Sequence, residues 1–175
     1  MVDPNLSPSV LRVTRTLAAL GAHGTVRTLT GSARTARDAA EALGVEVGQI
    51  ASSLLFRTVP PVIDPRHGRH ELQQAGEPLL VLTSGAHRVD THKVADLLGV
   101  AGLDRATPED VRAATGFAIG GVAPVGHPEP LRTLVDVALA RYEVVWAAAG
   151  HPYVVFSTSY DELVRITGGQ PAEVA

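Results

Sequence analysis

The chain has 175 residues, 45% of them hydrophobic and 19% charged, with a mean hydropathy of +0.14 and a formal net charge of −3. That composition describes one folded domain rather than a disordered segment, and a chain of this length buries enough surface to hold together without a covalent or metal staple. The absence of cysteine excludes disulfide scaffolds, cysteine–zinc sites, iron–sulfur clusters and cysteine nucleophiles. No run approaches the roughly 18 apolar residues of a membrane-spanning helix. Met1-Val2-Asp3-Pro4 lacks the basic start and apolar core of a secretory leader, so a cytoplasmic location is expected, with no membrane partner.

Fourteen of the fifteen basic residues are arginine, and Lys93 is the only lysine. The charge is uneven. Residues 1–37 hold five arginines (Arg12, Arg15, Arg27, Arg34, Arg37) against Asp3, a balance of +4, whereas residues 38–175 carry −7. A basic N-terminal face can meet phosphates locally, or it can be a set of solvated arginines on a first helix.

In chain order, Ser7-Pro8 reads as an N-cap followed by proline at the first helical position, and Val10, Leu11, Leu17 and Leu20 suggest a helix stopped by Gly21. Thr25–Leu29 alternates like a short strand. Thr35 caps a predicted helix over Ala36–Leu43, with Gly44 just past its end. Ile50–Thr58 reads as a buried strand. Val59–Pro78 is broken by Pro60, Pro61, Pro65, Gly68, Gly76 and Pro78 and reads as a long loop, with room for a short hairpin through Val62-Ile63 and Glu71-Leu72. Leu79–Thr83 is a further strand. Asp90 or Thr91 caps a helix through Leu98, and Thr107-Pro108 opens another that Gly116 closes. Leu131–Val135, Val144–Ala148 and Tyr153–Ser157 read as strands, and Ser159 caps a last helix, Tyr160–Thr167. Helices and strands interleave without a strict βαβ repeat, which points to a mixed sheet rather than a Rossmann fold or a TIM barrel. No segment matches the dinucleotide or P-loop glycine fingerprints.

The segment richest in chemistry is 116–127, where Gly116, Gly120, Gly121, Pro124 and Gly126 precede His127. Glycines let a backbone approach a ligand closely, and successive free N–H groups can form an oxyanion hole. Alone, such a stretch can equally be a structural turn. Its surroundings add to it. Thr35-Ala36-x-x-Ala39-Ala40-x-x-Leu43-Gly44, then Gln49-Ile50-Ala51-Ser52-Ser53-Leu54-Leu55-Phe56, then Leu80-Val81-Leu82-Thr83-Ser84-Gly85 with Arg88-Val89-Asp90 and Lys93, then the glycine loop followed by Thr133-Leu134-Val135-Asp136, Gly150-His151 and Asp161-Glu162-Leu163, stand in that order. Together they resemble the YbaK/ProX family of aminoacyl-tRNA editing domains over residues 20–170, with Gly120-x-x-x-Pro124 the most specific element.

The resemblance implies an α/β fold of one domain over residues 1–175, a mixed, barrel-like sheet surrounded by helices. It implies hydrolysis of a misacylated tRNA, such as tRNA(Pro) carrying cysteine or alanine, with the tRNA acceptor end as partner, an aminoacyl-tRNA synthetase as a possible second partner, and no metal or other cofactor. It places the catalytic oxyanion donors at Gly120, Gly121 and Val122, and Ser52 at a catalytic position. Ser53, Thr35, Phe117, Pro124, Asp136, Gly150 and His151 then fall to substrate binding. One departure stands out. The family usually carries lysine where this chain has Ser52, and a serine offers only a neutral hydrogen bond. Either a nearby arginine compensates, or the specificity differs, or the protein is a weakly active or inactive module that binds aminoacyl-tRNA or a nucleotide.

Other residues have two readings each. Asp136 orders the site or caps the next helix. His151 lines the site or sits in a turn. His127 faces the acceptor end or is an exposed loop residue. His67-x-x-His70 lacks carboxylate or cysteine partners at metal-ligand spacing and reads as solvated loop. Aromatic residues are too few for a multi-base stacking platform, but one terminal adenine can stack on Phe117 or Phe56.

Overall fold

Each α-helix among the described residues begins where a side chain accepts from its otherwise unpaired N–H groups. The computed structural model describes residues 7–31, 33–61 and 76–175. Helix α1 (Pro8–Ala19) starts at Ser7, whose hydroxyl accepts from the Val10 N–H at 3.2 Å. Helix α2 (Ala36–Leu43) starts with a reciprocal box: Thr35 Oγ1 accepts from the Asp38 N–H at 3.1 Å, and the Asp38 carboxylate accepts from the Thr35 N–H. Helices α3 (Thr91–Leu98), α4 (Pro108–Thr115) and α5 (Tyr160–Thr167) are capped by Asp90, Thr107 and Ser159. Such caps contribute about 1 kcal/mol each. Gly44, Gly99, Gly116 and Gly168 end α2 to α5 in the left-handed region, where a side chain would be strained.

Eight strands form one mixed sheet: β1 (Val26–Thr28), β2 (Ile50–Val59), β3 (Pro78–Ser84), β4 (Gly102–Arg105), β5 (Arg132–Asp136), β6 (Val145–His151), β7 (Val154–Thr158) and β8 (Gln170–Ala172). The order is β1-β7-β6-β2-β3-β5-β8, and β4 also pairs with β2. The β2–β6, β3–β5 and β5–β8 pairs are parallel and the rest antiparallel. In β3, Leu79 through Leu82 are fully buried because both faces of the sheet are covered there. Leu80 and Leu82 join the largest core cluster with Val13, Phe117 and Leu163, while Leu79 and Val81 pack toward Val94 of α3 and Val174. A third, smaller cluster lies under α2 around Ile50 and Ala40.

The helices and six of the strands fall where the residue pattern predicts them. Strands β4 and β8 do not. Gly-Leu-Asp-Arg has one apolar residue to mark a face, and Gln-Pro-Ala contains a proline, tolerated because β8 pairs only along one side, against β5. The hairpin proposed through Val62-Ile63 and Glu71-Leu72 lies outside the described residues, as do His67 and His70. No helix among the described residues is long and apolar enough to cross a membrane.

One irregularity in the sheet positions the site. β2 pairs with β3 along its whole length on one edge, but on the other edge it changes partner. Ile50 and Ala51 pair with Trp146 and Ala147 of β6, and Phe56–Val59 pair with β4. Between them, Ser52–Leu55 face an opening in the sheet.

Candidate active site

That opening is the mouth of a cavity of about 420 Å³. Its walls come from the approach to and start of α2 (Ala33 to Ala36 and Ala39), from Ile50–Leu55 of β2, from Arg105 of β4, the adjacent Ala106 and Val111 of α4, from Ile119, Gly120 and Val122 of the glycine-rich loop, and from Trp146–Ala148 and Val155 of β6 and β7.

The β2–β3 ladder decides what β2 offers to the cavity. The Gly85 N–H donates to the Ile50 carbonyl at 2.8 Å and the Thr58 N–H to the Glu77 carbonyl at 2.9 Å, so the even-numbered residues of β2 bond β3. The odd-numbered ones aim their backbone groups at the other edge. Leu55 uses its carbonyl there, accepting from the Ala106 N–H at 3.2 Å. Ser53 therefore points its N–H and C=O into the opening. Its hydroxyl oxygen is buried and has no hydrogen-bond partner. A buried unpaired hydroxyl costs about 1–3 kcal/mol, which marks it as a group held ready for something else. Ser52 lies on the opposite face of β2, half-buried, and also lines the cavity.

The glycine loop supplies donors from across the cavity. The Gly121 N–H donates to the Ala118 carbonyl at 3.1 Å and is thereby occupied, whereas the N–H groups of Gly120 and Val122 have no acceptor among the described residues. Gly120 sits at φ +92°, a conformation that favours glycine. The loop leans on the β6–β7 turn, where the strand register shifts between Ala148 and His151 and Gly150 turns at φ +96°.

The structure thus brings Ser52, Ser53, Thr35, Gly120 and Val122 to one cavity and leaves the other predicted site residues outside its walls. Gly121, within the loop, packs against the backbone of His151, whose Nδ1 accepts from the Tyr153 N–H at 3.1 Å. Gly150 packs against the backbone of Ser9 and the ring of Phe117. Pro124 lines a second cavity of about 400 Å³, together with His127 and Glu129.

Stacking of an adenine on Phe117 or Phe56 is corrected: the two rings are 1% and 4% exposed. Phe117 is a core residue, with the Arg12 guanidinium 4.6 Å from its ring centre and His127 edge-on at 6.1 Å. The ring that reaches the cavity is Trp146, which the sequence pattern does not single out.

Asp136 is buried away from the cavity. It caps the 3-10 turn Val137–Arg141 through the Ala138 N–H at 2.9 Å and accepts from the Ser84 N–H at 3.0 Å. His87 Nδ1 lies 2.9 Å from the same carboxylate. His127 is half-buried, and its Nε2 sits 2.8 Å from the Ala123 carbonyl, which can only accept. Burial pushes its pKa below the ordinary 6.5, the charge of Arg12 adds to that, and the bond to Ala123 opposes it. Lys93 is held by the Ala175 carbonyl at 2.8 Å and lies outside the cavity. Among the described residues no three His, Asp or Glu side chains gather as a metal site.

Residues 30–166 match the model of the aminoacyl-tRNA editing domain. The chain belongs to the aminoacyl-tRNA editing domain family. Its structure superposes with a TM-score of 0.80 on that of a proposed trans-editing enzyme for prolyl tRNA synthetase, at 42% identity, covering 97% of this chain and 98% of the other. EbsC of Enterococcus faecalis, a proposed Cys-tRNA(Pro)/Cys-tRNA(Cys) deacylase, is 24% identical over 140 residues, 80% of this chain and 76% of its own length. The proline–tRNA ligase of Nitratidesulfovibrio vulgaris strain DP4 is 33% identical over 110 residues, 63% of this chain. The match spans 16% of that ligase, so the shared part is one segment of a much larger enzyme.

Proposed function

We propose that this editing-domain protein hydrolyses tRNA that carries a small, wrongly attached amino acid, with Cys- or Ala-tRNA(Pro) as the first candidates. The observation that carries this reading is the pairing of free backbone donors at Gly120 and Val122 with the orphaned hydroxyl of Ser53 across one cavity. Among the described residues no carboxylate, histidine or lysine lines that cavity, so no side chain is placed to act as a general base.

An aminoacyl ester suits such a site because it is already activated. Water adds to the carbonyl carbon, and negative charge gathers on the carbonyl oxygen, where the N–H groups of Gly120 and Val122 would receive it. The bond to the ribose oxygen then breaks, and one proton from the water ends on that oxygen. The neighbouring ribose hydroxyl can help to position the water. A donor aimed at such an oxyanion lowers the barrier by about 3–4 kcal/mol. Ser53, with its C=O and hydroxyl at the opening, would hold the substrate's α-amino group, and Trp146 would lie against the terminal base. The small residues around the cavity admit a short side chain and the adenosine, and the fit of the larger cognate amino acid decides selection.

A second reading rests on Ser52. Without an ammonium at that position the protein would bind aminoacyl-tRNA and leave the ester intact. Ester loss from Cys- and Ala-tRNA(Pro) tests both readings, with Ser52→Lys run alongside. Activity in the wild type supports editing. An inert wild type and an active Ser52→Lys support the binding module.

A further inference from the structure

Arg34 and Arg105 are the only charged side chains lining the cavity among the described residues, and they come to it from separate elements, one just before α2 and the other at the end of β4. Both are exposed, and neither has an ion-pair or hydrogen-bond partner among the described residues. Arg57, on β2, differs: it is 3.1 Å from Asp110 and bonds the Gly76 carbonyl at 3.0 Å. With two guanidinium groups and no acid, the cavity mouth carries a charge of +2 on a protein whose net charge is −3. Ser52 and Ser53 of β2, which line the same cavity, are neutral.

We propose that Arg34 and Arg105 form a two-sided clamp for the phosphate of the terminal nucleotide, so that the charge that fixes the substrate sits at the rim of the cavity rather than on its floor. A guanidinium binds phosphate through paired, charge-assisted hydrogen bonds, and two of them from separate elements fix where the attached sugar enters. Arg27 extends the same positive edge. It pairs with Val155 across β1 and β7, Val155 lines the cavity, and directly paired residues share a face. The inference rests on the editing reading for its choice of anion, a nucleotide phosphate.

The test compares the full chain's affinity for 5′-AMP with that for adenosine, by calorimetry, in the wild type, in Arg34→Gln with Arg105→Gln, and in the exposed control Arg141→Gln. The clamp predicts that the wild type and the control bind 5′-AMP about tenfold more tightly than adenosine, as one strong charged contact would give. It predicts that the double variant loses that preference while its adenosine affinity is unchanged. Equal binding of the two by the wild type, or a preference that survives in the double variant, overturns it. A wild type that prefers 5′-AMP and leaves every aminoacyl-tRNA intact keeps the clamp and retires editing. One that deacylates tRNA without the preference retires the clamp alone.

Discussion

Gly121 lies against the backbone of His151: a β-carbon placed on Gly121 would stand 2.9 Å from both the Cα and the N of His151. That is closer than side-chain carbons sit to backbone, and backbone cannot swing aside. Gly121 matters through this contact, since its own N–H is spent on Ala118. Its neighbours Gly120 and Val122 carry the free N–H groups, so the contact sets where they point.

Gly121→Ala should therefore displace the loop and misalign both donors. Single-turnover deacylation is expected to fall by at least about 10²–10³, the range for loss of one oxyanion donor. The core clusters do not include Gly121, and the melting transition should remain cooperative. Full activity in a folded Gly121→Ala would remove the loop from the mechanism.

Ser53→Ala separates function from stability. Removing a buried hydroxyl that has no partner should leave the melting temperature unchanged or raise it, because an unpaired group costs about 1–3 kcal/mol. Turnover should drop about tenfold, the effect of one lost hydrogen bond to the substrate. A large fall in melting temperature would show that the hydroxyl supports the fold.

Asp136→Ala should act in the opposite way. Its carboxylate accepts from the buried Ser84 and Ala138 N–H groups at about 3 Å, and the half-buried His87 Nδ1 lies 2.9 Å from it. Removing it orphans two buried backbone donors, so a loss of at least 2 kcal/mol is expected in urea unfolding. Residual activity per folded molecule should change little.

His127 gives a pH signature. Burial holds its pKa below 6.5, so the folded protein keeps the ring neutral where the unfolded chain protonates it. Its contribution to stability is full above pH 6.5 and declines as pH falls through the folded-state value. Imidazole proton shifts should place its titration midpoint below 6.5, and His127→Gln should reduce the fall in stability over that window. A midpoint above 6.5 would contradict the burial.

The helices were legible because each carries its own boundary chemistry: Thr35 and Gly44 bracket α2, and Ser159 and Gly168 bracket α5. The glycine loop was legible from its density of glycines. What stayed hidden depends on tertiary pairing. Nothing local to Ser52–Leu55 reveals that β2 exchanges β6 for β4 across them, and that exchange makes the cavity. Phe117 and Trp146 look alike as isolated aromatics, yet packing against α1 and Gly150 buries the first and the cavity receives the second. Arg34 and Arg105 lie 71 positions apart in the sequence, with no motif linking them, and only the fold puts them on one rim.

The most direct measurement offers the purified protein tRNA(Pro) charged with cysteine, alanine or proline, and tRNA(Ala) charged with serine or glycine, and follows ester loss under single-turnover conditions. Release of a small noncognate amino acid from tRNA(Pro) is expected, with Pro-tRNA(Pro) spared and the rate strongly reduced in Gly121→Ala. A folded protein that leaves every one of these esters intact would contradict the editing reading.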